Sequence, residues 1–78
     1  MDPKVFDSEF RDLRARQPFQ PFLMFFEDGG YVIVDHPESV MVRNNRGVHM
    51  DRTGSKTFFE PQAVTRLKEI VDEPERVG

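Results

Sequence analysis

Apolar residues in this chain come in short bursts separated by turn-forming clusters, and the period of the bursts changes once. Over residues 3–16, Val5, Phe6, Phe10 and Leu13 recur at the spacing of one helical face, which predicts an amphipathic helix there. Asp2 is a favoured N-cap residue and Pro3 sits at the first helical position, where the missing N–H costs nothing. Met1 is placed to staple onto Phe6. Arg11, Arg14 and Arg16 load the C-terminal half with positive charge, which suits the helix dipole. Gln17 precedes Pro18, so the helix should stop near Arg16.

Past the rigid Pro18-Phe19-Gln20-Pro21 connector the bursts take on strand character. Residues 22–27 and 30–35 flank Asp28-Gly29, a strong hairpin signal for which a type I′ turn with positive φ at both central residues is expected. His36-Pro37-Glu38-Ser39 breaks the pattern, and 40–43 reads as a third strand. Asn44-Asn45-Arg46-Gly47 is a turn rich in residues that tolerate left-handed backbone. Residues 48–52 alternate and predict a half-exposed strand with His49 and Asp51 on its polar face. After Thr53-Gly54-Ser55, residues 56–60 form a further strand. From Pro61 onward Val64, Leu67, Ile70 and Val71 recur at helical spacing. The stretch 64–70 could equally close a small barrel as a strand, and the need to cover a sheet edge favours the strand. One domain over residues 1–71 is expected, with a flexible charged tail over 72–78.

The first hairpin is apolar at every position from Phe22 to Phe26 and from Tyr31 to Val34. Side chains alternate faces along a strand, so both of its faces are apolar and both must be covered. The interior of a small barrel can take one face and the helix, with Phe6, Phe10 and Leu13, the other. If the chain cannot do this alone, a second copy or a partner protein supplies the missing surface. Phe25, Tyr31 and Ile33 are then the contact residues.

Seventy-eight residues with no cysteine make a domain whose size alone leaves it marginally stable, with no disulfide and no thiolate metal site to help. The rings are eight Phe and one Tyr, which are for burial more than for polar recognition. A formal net charge of −3 disfavours a general nucleic-acid binder. Neither a signal peptide nor a run long enough to span a bilayer is evident. A cytoplasmic protein with no membrane partner is the expectation. His36 with Glu38, and His49 with Asp51, repeat a His-x-carboxylate spacing that could hold a metal or transfer protons if the two segments met. Turn formation by His36-Pro37-Glu38 and a polar strand face for the second pair explain the same residues. No nucleophile elbow, phosphate loop or Gly-x-Gly-x-x-Gly is present. The expectation is a protein that is not an enzyme, with no catalytic residues, no metal and no cofactor. Arg43, Asn45 and Arg46, around one hairpin, are the residues that would touch a nucleic-acid backbone.

Element order resembles that of small SH3-like or Sm-like barrels. At residue level Pro18-Phe19-Gln20-Pro21-Phe22, Asp28-Gly29 and His36-Pro37-Glu38 resemble the skeleton of a group of short uncharacterised bacterial proteins, over about two-thirds of the chain. The resemblance implies an α+β fold: an N-terminal helix followed by a small antiparallel five-stranded SH3-like or Sm-like barrel or curved sheet. It carries no activity. The function expected is a small interaction or scaffold module acting through self-association or docking on a partner protein. The alternative is an Sm-like oligomeric RNA-binding protein.

Overall fold

The computed structural model describes residues 1–70. Val71 and the tail, expected to be flexible, lie outside the described residues. Helix α1 spans Pro3–Ala15. The Asp2 carboxylate caps it by accepting the Lys4 N–H at 2.7 Å. Phe6, Phe10 and Leu13 form its buried stripe, while Val5, expected on that stripe, is exposed. Six strands follow: β1 (Phe22–Phe26), β2 (Tyr31–Val34), β3 (Val40–Arg43), β4 (Arg46–Met50), β5 (Lys56–Phe59) and β6 (Val64–Glu69). Short 3₁₀ turns at Pro37–Ser39 and Pro61–Ala63 lead into β3 and β6.

The strands form two antiparallel sheets of three, β2-β1-β6 and β3-β4-β5. The α+β class is therefore observed, but the closed five-stranded barrel is not: a sixth strand exists, and no ladder joins one sheet to the other among the described residues. The sheets turn their inner faces to a shared core of Phe22, Met24, Val34, Val40, Phe59 and Val64. The helix roofs that core and touches both sheets through its rings. Phe6 packs edge-on to Phe59 at 6.2 Å, and Phe10 to Phe22 at 6.3 Å. It runs alongside β6. The Met1 amine donates to the Gln62 and Val64 carbonyl oxygens at one end, and Arg16 pairs with Glu69 at the other. The lengths match: thirteen helical residues at about 1.5 Å and six strand residues at about 3.3 Å both give about 20 Å.

The segment after Pro61 is a strand, and its helix-like spacing has a physical cause. The β1–β6 register slips between Phe25↔Arg66 and Phe26↔Val64, leaving Thr65 as the extra residue of a bulge. The bulge lets Val64 and Leu67, three apart, face the same side. The hairpins also differ from expectation. Asp28 does not take positive φ. The β1–β2 connection is instead a three-residue loop, closed by Phe26 N–H to Gly30 O and Gly29 N–H to Phe26 O, with Gly29 alone at φ 90°. The type I′ geometry occurs between β3 and β4, where Asn44 and Asn45 have φ of 52° and 62° and Arg43 pairs with Arg46.

Candidate functional site

The outer face of β2-β1-β6 collects the residues expected to bind a partner. Alternation puts Leu23 and Phe25 on the side of β1 opposite Phe22 and Met24. Register places Ile33 across from Leu23 and Tyr31 across from Phe25. Tyr31 is 58% exposed and Ile33 48%, with Phe25 half-buried. The Phe25 and Tyr31 rings lie 5.9 Å apart, and the Arg66 guanidinium sits 5.8 Å from the Phe25 ring. Lys68 is the β6 neighbour of Leu23. The helix was expected to be able to cover this face. It packs on the core side instead, so Phe25, Tyr31 and Ile33 share a face that nothing in residues 1–70 covers. Charged residues of both signs flank it in the chain: Arg66 and Lys68 on β6, and Glu27 and Asp28 in the turn joining β1 to β2, where they also line the cleft facing β5.

A second apolar face lies on the outside of β3-β4-β5, and the sequence reading did not anticipate it. His49 was expected to face solvent, yet it is 4% exposed, and Val48 and Met50 point outward in its place. Gly47 sets this orientation. It pairs with Phe59, whose ring lies where a Gly47 Cβ would be. Only glycine admits the ring, and a one-residue slip would invert the strand. Met41, Val48 and Phe58 are cross-strand neighbours in one row over all three strands, with Met41 64% and Phe58 76% exposed. The signal was present in the Gly47 of an otherwise alternating strand, which marks a close approach.

The buried His49 ties the two sheets together: its Nε2 lies 2.8 Å from the Ile33 carbonyl oxygen. A carbonyl can only accept, so Nε2 carries the proton. The four-residue His and carboxylate site is not assembled. His49 is turned inward, while Asp51 accepts from the Thr53 hydroxyl and from the N–H groups of Thr53 and Ser55. Those bonds, the Thr53 hydroxyl first, hold the Asp51 carboxyl below its ordinary value. Partial burial pushes the Asp35 carboxyl up, but the hydrogen bond from Arg52 and the His36 charge outweigh it and leave it lowered. Among the described residues no three His, Asp or Glu side chains are grouped as a metal ion requires.

The nucleic-acid candidates are divided. The Asn45 amide donates to Gln62 at 3.3 Å, across to the turn before β6, whereas Arg43 and Arg46 stand as neighbours beside the Met41–Phe58 row. An open cleft of about 630 Å³ separates the β1–β2 turn from β5. It is lined by Phe26, Glu27, Phe58, Phe59 and Ala63 among others. No helix of the described residues is long and apolar enough to cross a membrane. No protein-family model, curated protein or solved structure matches the chain.

Proposed function

We propose that this protein is a small non-enzymatic interaction module that associates with a second copy of itself through the outer face of β2-β1-β6. The observation that carries the reading is the juxtaposition of Leu23, Phe25, Tyr31 and Ile33 on one exposed sheet face. Covering an apolar side chain of this size contributes about 1.5–3 kcal/mol, so a few such residues matter to a domain this small. The flanking charges of both signs support self-association. Two copies can meet without setting like charges against each other, as a self-complementary two-fold interface requires. Light scattering on the full chain tests it. The expected mass is a multiple of 9.1 kDa, falling to one chain in a Tyr31→Ser/Ile33→Thr variant. A wild-type mass of one chain at every concentration removes the proposal.

A further inference from the structure

The outer face of β3-β4-β5 is built differently from the first face, and its charge says what covers it. Its apolar row, Met41–Val48–Phe58, is bordered by Arg43 and Arg46 on one side and by the cross-strand neighbours Met50 and Lys56 on the other. The three strands contain no Asp or Glu, in a chain of net charge −3. Among the described residues, Arg43, Arg46 and Lys56 make no ion pair. We infer that this face docks an acidic amphipathic segment of another protein, its apolar side chains on the Met41–Phe58 row and its carboxylates on Arg43, Arg46 and Lys56. The charged side chains on the three strands are all positive, with Glu27, Asp28 and Glu60 lining the cleft beside Phe58, and this disfavours a second copy, because a two-fold arrangement would set Arg43 and Arg46 against one another or against Lys56. The row itself disfavours nucleic acid. It holds one aromatic ring beside a methionine and a valine, with Met50 at its border, so it stacks one base at most, while the flexible thioethers suit apolar side chains. Arg43 and Arg46 thus have a place in recognition, as carboxylate partners.

The probe is a fluorescently labelled peptide with leucines on one helical face and glutamates on the other. Controls carry lysine for glutamate, or serine for leucine. The glutamate–leucine peptide is expected to bind the full chain, more weakly as salt rises, while neither control binds. Affinity should fall about tenfold or more in Phe58→Ser/Met41→Ser and in Arg43→Glu/Arg46→Glu. These positions are exposed, so unchanged melting temperatures should show that the variants fold. Tyr31→Ser/Ile33→Thr, on the other face, should leave peptide affinity unchanged. That separates this surface from the self-association face, whose failure would not affect it. Four results would each overturn the inference. They are absence of binding, binding untouched by the Phe58 and Arg43 variants, displacement of the peptide by single-stranded oligouridylate, and a solution mass that drops when Phe58 and Met41 are replaced.

Discussion

Gly47 and Phe59 face one another across β4 and β5, and together they decide which side of the second sheet is core. The Phe59 ring occupies the space of the absent Gly47 side chain. Gly47→Ala should therefore displace the ring from its place against Phe6 and Phe26 and destabilise the domain by about 1–3 kcal/mol. The penalty should shrink in a Phe59→Leu background, which a double-mutant cycle of urea unfolding reads directly. His49 acts at the same scale. Removing its imidazole leaves the Ile33 carbonyl oxygen without its donor, so His49→Ala should cost about 1–3 kcal/mol in the same measurement. The helix stripe of Phe6, Phe10 and Leu13 was legible in the sequence because spacing alone reports it. The orientation of His49 was not. Polarity places a histidine outside, whereas here a neighbouring glycine and one carbonyl acceptor hold it inside.

At the scale of elements, strand existence was readable and turn geometry only partly so. Asp28-Gly29 and Asn44-Asn45 both announce hairpins, but loop length decides the turn type. The longer loop needs only one residue at positive φ, and Gly29 supplies it. Asn44 carries the strained geometry instead, so Asn44→Val should cost about 1–2 kcal/mol while Asn44→Gly is tolerated, as thermal melts will show. The i, i+3 spacing of Val64 and Leu67 resembled a helix because periodicity does not distinguish a helical turn from a bulged strand. Two loops also make stability depend on pH. Asp35 beside Arg52 and Asp51 within its own turn both have folded-state pKa values below their ordinary ones. A lowered carboxyl contributes stability above the unfolded value, about 3.9 for aspartate, and loses it as pH falls through the folded value. The melting temperature should fall as pH drops below about 4, and more shallowly in Asp35→Asn/Asp51→Asn.

On the scale of the whole molecule, a short chain has one core and two outer sheet faces, and both are apolar. The doubly apolar first hairpin was visible in the sequence: one of its faces lies in the core and the other, with Tyr31 and Ile33, is exposed. Which surface stays bare depends on where the helix docks, and the helix runs along β6 to join the sheets' inner faces. The second bare face escaped the sequence reading because Met41, Val48 and Phe58 are distant along the chain and meet only through register. The two proposals rest on the difference in charge between these faces: residues of both signs flank the first, and the charges on the strands of the second are all positive.

The most direct test of the central claim is the solution mass of the purified chain by light scattering through a dilution series. A mass above 9.1 kDa that falls towards one chain on dilution is expected, with one chain throughout for Tyr31→Ser/Ile33→Thr. A wild-type mass of one chain at every concentration would contradict it, and so would an assembly that this variant leaves intact.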